Sequence, residues 1–136
     1  MKIATLIARN LLGLMFLVFG LNGFLHFIPQ PPPPAGLAGQ YLGVLVASHY
    51  FIPVALLQVI GGALLLINRF VPLALVLLGP VIVNILLYHL LMAPAGLLPG
   101  VAALVLWLVV FYRVRSAFAG VLAMRTETPA EAPNRH

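Results

Sequence analysis

The stretch VPLALVLLGPVIVNILLYHLLM, residues 71–92, decides the fold class of this chain. It contains no Asp, Glu, Lys or Arg. At about 1.5 Å of rise per residue it makes a helix roughly 33 Å long, which matches a hydrocarbon core of about 30 Å. A surface helix of a soluble protein keeps a charged face, and this one has none. We therefore expect the stretch to cross a lipid bilayer.

Three further apolar runs, 4–28, 51–68 and 96–115, lie on either side of it in the sequence. Of the 136 residues, 63% are hydrophobic and only 7% are charged. In lipid the backbone must satisfy its own hydrogen bonds, which favours helices. We predict an all-α integral membrane protein whose residues 1–115 form a four-transmembrane-helix bundle. Residues 116–136 carry both acidic residues and are predicted to be a disordered cytoplasmic tail.

The basic residues predict the orientation of the bundle. Lys2 and Arg9 lie at the start of the first run, Arg69 lies between the second and third, and Arg113, Arg115 and Arg125 follow the fourth. The other two connections contain no Lys or Arg, so the positive-inside rule places both termini and the Arg69 turn in the cytoplasm. Along the sequence these residues do not form a patch, and we expect no nucleic-acid partner. The basic start of the first run is typical of a signal peptide, but no cleavage site follows, so we expect a retained helix.

The segment FLHFIPQPPPPAG, residues 24–36, connects the first and second runs. Pro29 is expected to end the first helix, and the prolines at 31–34 favour an extended polyproline conformation. Beyond them, apolar residues recur at helical spacing over 36–48, a segment too short to span a bilayer. We predict a short extracytoplasmic interfacial helix there; an irregular loop is the alternative.

Polar side chains are costly in lipid, so the few in the predicted helices are candidate ligand-binding residues. They are Asn22, His26, Gln58, Asn84, Tyr88 and His89. Three of them are amides on different helices, each roughly 9–12 Å below the outer end of its helix. They predict a polar pocket in the outer leaflet, although His89, turned about 140° from Asn84, is less suited to line it. The alternative is that the amides only form hydrogen bonds between helices.

Other chemistries lack the residues they need. The chain has no cysteine, which excludes disulfides, thiolate-held iron–sulfur clusters and attached c-type haem. The apolar runs hold no carboxylate, no nucleophile paired with a base and no glycine-rich phosphate loop, so a self-contained hydrolase or ATP-driven pump is not expected. Haem ligation by His26 and His89 is disfavoured because both residues lie at shallow depth in the membrane. A metal site of His26, His49 and His89 is disfavoured because it would contain three imidazoles and no carboxylate. We expect no metal and no covalently bound cofactor.

Two stretches carry a family resemblance: VFGLNGFLHFIPQPP, residues 18–32, and LLQVIGGALLLINRFVPLALVLLGPVIVNILLYHLLMAPAGLLPG, residues 56–100. Together they resemble the DoxX family of small bacterial membrane proteins, over about residues 9–115, with 79–96 the most specific part. The resemblance implies a four-helix membrane bundle in a family named after a quinol oxidase subunit, with a thiosulfate:quinone oxidoreductase component among its relatives. Many relatives carry a basic residue where Gly23 stands and an acidic one where Gln58 stands, so a charged pair is missing here.

The resemblance makes quinone or quinol the expected ligand and makes a small subunit of a membrane redox complex the leading hypothesis. In this hypothesis His26 exchanges a proton with the ligand, because imidazole is the side chain that titrates near neutral pH. Asn22, Gln58 and Asn84 hold the ligand carbonyls. The expected partners are the lipid bilayer and a redox subunit or a second copy of the chain. The alternatives are a transporter or channel subunit, or a membrane scaffold or assembly protein without catalysis; whether the chain is an enzyme stays open.

Overall fold

The computed structural model describes residues 2–30 and 32–126, and those residues are almost entirely helical. The α-helices are α1 (Lys2–Leu25), α2 (Leu37–Ala47), α3 (Phe51–Leu66), α4 (Val71–Leu91) and α5 (Leu97–Val114), with 3-10 helices at Pro94–Gly96 and Arg115–Leu122. No strand occurs among the described residues. The all-α prediction is confirmed, and α2 coincides with the segment 36–48 for which a short helix is predicted.

Three helical stretches are long and apolar enough to cross a membrane: Lys2–Leu25, Val71–Leu91 and the joined Pro94–Leu122. At 16 residues α3 is short for a span, and it qualifies only together with α2. The two helices meet at 84°, the geometry of a broken span or of a re-entrant loop. The described part of the chain therefore supplies three spans, or four if the bent pair counts as one. The right-angle bend follows from His49, whose φ of 60° stops α2 from running on into α3.

The bundle is apolar outside as well as inside. Apart from Phe16, its core consists of small and aliphatic side chains, of which the largest fully buried are Leu12, Leu65, Leu75, Leu78, Ile82 and Val110. Large apolar side chains also cover the outer faces, among them Leu14, Phe19, Leu56, Leu73, Val83 and Leu108. In water such an outer surface would favour association, because contiguous exposed apolar patches are rare on soluble monomers.

The ordered structure continues past the predicted end of the bundle. Residues 116–122, predicted to begin a disordered tail, belong to the 3-10 helix Arg115–Leu122. Phe118 explains this difference, because its ring packs 5.0 Å from that of Phe111 and joins the edge of the core. The rest of the predicted tail from residue 127 onward lies outside the described residues.

One side-chain hydrogen bond joins two of the long helices. The indole nitrogen of Trp107 on α5 donates to the carbonyl oxygen of Leu75 on α4 at 3.0 Å. The Trp107 ring also stacks on Phe111 at 5.1 Å between centroids. Trp107 therefore fixes the relative position of α4 and α5 by both contacts.

Substituting Trp107→Phe keeps a stacking ring and removes the donor, so the unfolding free energy is expected to fall by about 1 kcal/mol, within the range for hydrogen bonds between membrane helices. Reversible unfolding in mixed detergent micelles, followed by circular dichroism, measures the change. Phe111→Leu serves as a comparison that disturbs the stack and leaves the hydrogen bond. An unchanged free energy in Trp107→Phe would contradict a role for the bond.

Candidate ligand-binding cavity

A cavity of about 270 Å³ lies between α2, α3 and α4. Its polar lining consists of Tyr41, Tyr50, Gln58, Asn84, Tyr88 and His89, and the remaining lining residues are aliphatic or phenylalanine. None of the described residues that line it is charged. The cavity therefore combines apolar walls with a few neutral hydrogen-bonding groups, the composition typical of small-molecule sites.

The two amides reach one level because α3 and α4 run in opposite directions. Gln58 lies two helical turns after the first residue of α3, and Asn84 lies two turns before the last residue of α4. Each amide is thus about 10 Å from the same end of the bundle. Both side chains line the cavity. Within the described part of the chain, neither amide makes a side-chain hydrogen bond; Gln58 is half-buried and Asn84 is exposed, so both remain accessible.

Two tyrosines form an aromatic wall across the gap between α2 and α4. The rings of Tyr41 and Tyr88 stack with centroids 5.5 Å apart and planes inclined by 30°. Tyr88 lies one turn after Asn84 on α4 and therefore shares its face. The stack brings α2 against α4, so that the short helix forms one side of the cavity.

His89 lines the cavity, although the ideal helix angle predicted that it would point aside. Its ring meets that of Tyr88 edge to face at 4.9 Å. Its Nδ1 lies 2.8 Å from the carbonyl oxygen of Ile85, one turn earlier. Because a carbonyl oxygen only accepts, Nδ1 carries the proton in the neutral ring and Nε2 carries the lone pair. A Cβ on Gly96 would lie 2.7 Å from Nε2, so a glycine is needed beside the ring.

Asn22 and His26 do not line this cavity, which corrects the predicted pocket. α1 ends at Leu25, before the predicted residue 28, and Asn22 is less than one turn from that end. Its side-chain oxygen accepts a hydrogen bond from the backbone nitrogen of Ile28 at 2.8 Å, and it is the one buried polar residue among those described.

His26 has a local role at the same helix end. It adopts a left-handed conformation with φ 51°, and its backbone nitrogen donates to the carbonyl oxygen of Asn22 at 2.9 Å. This is the arrangement of a helix C-terminal cap. Its side chain is exposed. Asn22 and His26 thus end α1 before the proline segment, and only two of the three predicted amides, Gln58 and Asn84, line the cavity.

Two lining residues, Tyr41 and Tyr50, are absent from the sequence-based candidates. Tyr41 belongs to the apolar period of the 36–48 segment, but nothing in the sequence fixes which side of the bundle that helix covers. Tyr50 lies at the bend between α2 and α3. Its position depends on the 84° angle between the two helices, which no local pattern specifies.

The histidines do not converge. His26 and His49 are exposed, and His89 is half-buried beside Tyr88. Among residues 2–30 and 32–126, no three His, Cys, Asp or Glu side chains come close enough to hold a metal ion.

No family model, no curated protein and no solved structure matches this chain. The resemblance to the DoxX family stays a prediction from the two stretches that carry it. The cavity itself is neutral and partly aromatic, and it contains two amides that make no hydrogen bond to the described residues. Its volume is close to the lower limit of about 300 Å³ for ligand sites, which suits a head group with its tail outside.

Proposed function

We propose that this protein spans a bacterial inner membrane and binds a quinone, or another lipid-like molecule with a neutral polar head, in the cavity between α2, α3 and α4. In this role it serves as a small subunit of a membrane redox complex, as the DoxX resemblance implies. The observation that carries the proposal is the pair of amides, Gln58 and Asn84, which line one cavity, remain accessible there, and make no hydrogen bond to the described residues.

The apolar outer surface and the long apolar helices support membrane insertion. Support for the orientation comes from the two ends of the bundle. Lys2, Arg9 and Arg113 approach one another at one end, whereas the connection 26–50 at the other end contains no Lys or Arg. Under the positive-inside rule the basic end is cytoplasmic, both termini are inside, and the cavity opens in the outer leaflet.

The chemistry of the lining favours a quinone over a charged lipid. An unpaired amide in an apolar setting loses about 1–3 kcal/mol, which a ligand carbonyl recovers by accepting its N–H. Quinones carry two carbonyl oxygens on a flat ring, and the face of Tyr88 or Tyr41 offers a surface for that ring. A phosphate or carboxylate head would enter a cavity without any cation, at a large desolvation cost.

Reduction of a quinone to a quinol takes two electrons and two protons. The electrons would come from the partner subunit, since the side chains of this cavity carry no redox group. Both protons would pass in turn through His89, whose Nε2 lone pair in the neutral ring takes up a proton from water, gives it to the ligand, and then takes up the second. This replaces the role that the sequence assigned to His26, because His26 lies outside the cavity. The amides and tyrosine hydroxyls then orient the ligand and do not transfer protons.

The alternative functions have less support. A transport path needs polar groups through both leaflets, and below the cavity the described core is filled by aliphatic side chains such as Leu12, Leu75 and Leu78. A scaffold would offer its small-residue faces to another chain. Gly61 and Gly62 are buried inside this one instead, against Leu78 and against the backbone of α1.

The test is to purify the full chain in mild detergent, extract it with organic solvent, and quantify quinone per protein. We expect the parent to retain quinone, and Asn84→Leu and Gln58→Met to retain at least fivefold less, since each loses about one net hydrogen bond of about 1 kcal/mol. Both substitutions keep the side-chain volume and remove the amide.

His26→Asn is the matched control, because asparagine accepts the left-handed conformation and lacks the imidazole. Retention in His26→Asn should equal that of the parent. Equal loss in His26→Asn and Asn84→Leu would contradict the cavity as the site. A parent that retains no quinone above a detergent blank would contradict the quinone assignment.

A further inference from the structure

A second cavity, of about 220 Å³, lies at the opposite end of the bundle, where α1 begins and α5 ends. Three cationic side chains line it: Lys2, Arg9 and Arg113. They are spread over the sequence, and no patch is evident until the chain is folded. The cavity also contains Asn68, from the turn between α3 and α4, so three separate segments contribute to it.

None of the described residues places a carboxylate beside the positive charge in this cavity. Residues 2–126 contain no Asp or Glu, and the two acidic residues of the chain, Glu127 and Glu131, lie outside the described residues. Arg9 donates to the carbonyl oxygen of Leu65, near the last turn of α3, where a cation also interacts favourably with the helix dipole. That bond holds Arg9 in place and leaves its charge uncompensated.

The basic surface continues beyond this cavity. A neighbouring cavity shares Thr5 and Arg113 and adds Arg115. The guanidinium of Arg115 lies 4.1 Å from the centroid of the Tyr112 ring and donates to the carbonyl oxygen of Tyr112 at 2.5 Å. Arg115 is thus fixed on the protein surface, while Arg113 lines both cavities.

The remaining lining is apolar. Leu6, Val110 and Val114 form walls beside the cations, on helices long enough to span a membrane. A soluble anion would contact only the cationic side chains of this lining, whereas an amphiphilic anion would contact the apolar side chains as well. Basic pockets between membrane helices on the cytoplasmic side are a known form of anionic-lipid site.

We propose that this cavity binds the phosphate group of an anionic phospholipid, with an acyl chain along Leu6 and Val114. Arg113 and Lys2 hold the phosphate by charge-assisted hydrogen bonds, for which the planar guanidinium is well suited. The site is separate from the cavity between α2, α3 and α4. Its lining is positively charged, whereas the lining of that cavity is neutral. The inference therefore stands whether or not the outer cavity binds a quinone.

The test is a titration of the purified full chain with dioleoylphosphatidylglycerol, followed by native mass spectrometry, with dioleoylphosphatidylcholine as the neutral comparison. We expect the anionic lipid to bind in preference to the zwitterionic one. Lys2→Gln and Arg113→Gln should each weaken its binding about fivefold, the factor expected for one basic residue at an anionic lipid surface. Arg113→Lys keeps the charge and should lose less.

Arg69→Gln is the matched control, since Arg69 is exposed on the α3–α4 turn and does not line the cavity. An equal loss in Arg69→Gln would overturn the site, because it would reflect general attraction. Equal binding of sn-glycerol 3-phosphate would overturn the lipid assignment. If the double variant Glu127→Gln/Glu131→Gln bound phosphatidylglycerol ten times more tightly than the parent, the chain's own carboxylates would be the resident anion and the proposal would fail.

Discussion

Substituting Gly62→Ala is expected to destabilise the bundle more than any other single-methyl change in its core. A Cβ at this position would lie 2.5 Å from the backbone nitrogen of Leu17 and 2.6 Å from the carbonyl oxygen of Gly13. Both atoms belong to the backbone of α1, so no side-chain rotation can make room. The two helices must separate, and the side chains packed between them lose contact.

The expected loss is about 1–3 kcal/mol, the usual cost of overpacking, and it exceeds the gain of about 0.5–1 kcal/mol from placing alanine in a helix. The measurement is reversible unfolding in mixed micelles. Gly79→Ala on α4 is the matched control, because its nearest new contact would be an ordinary 3.6 Å to the Trp107 ring. Gly79→Ala should be neutral or stabilising; equal destabilisation by the two variants would contradict close α1–α3 packing.

Gly39→Ala is expected to detach the proline segment from α2. A Cβ on Gly39 would lie 2.0 Å from the carbonyl oxygen of Pro34, well inside contact distance. Either the proline segment or the start of α2 must move. Tyr41 lies in the next half-turn, so its stack on Tyr88 should weaken and the wall of the outer cavity should open.

Hydrogen exchange of the α2 amides measures this effect. The exchange of residues 37–47 should be at least tenfold faster in Gly39→Ala than in the parent. Gly43→Ala lies one turn further along the same helix and meets nothing within 4 Å, so it should leave exchange unchanged or slow it. If the α2 amides exchanged equally fast in both variants, the result would contradict the close approach of Pro34 to α2.

The contrast between Asn22 and Asn84 explains how far a sequence can define a site. Each is an amide near one end of an apolar helix, and the sequence treats them alike. Asn22 is used locally, because α1 ends early and the backbone nitrogen of Ile28 needs an acceptor. Asn84 lies two turns inside the end of α4, where the backbone is already paired, so its amide stays available to a ligand. Whether an amide is used locally depends on where the helix ends, and helix ends are the least certain part of a sequence prediction.

The sequence by itself determined the all-helical fold, the number of apolar runs and the short helix before α3, because hydrophobic length and period act within one segment. It also singled out Gln58, Asn84 and Tyr88, since polar groups are conspicuous in apolar runs. Only the tertiary structure decided which polar groups share a cavity. It joined Tyr41 to Tyr88, turned His89 inward, excluded His26, and gathered Lys2, Arg9 and Arg113 at one end. These outcomes depend on helix crossing and on the 84° bend, which arise from packing between segments far apart in the chain.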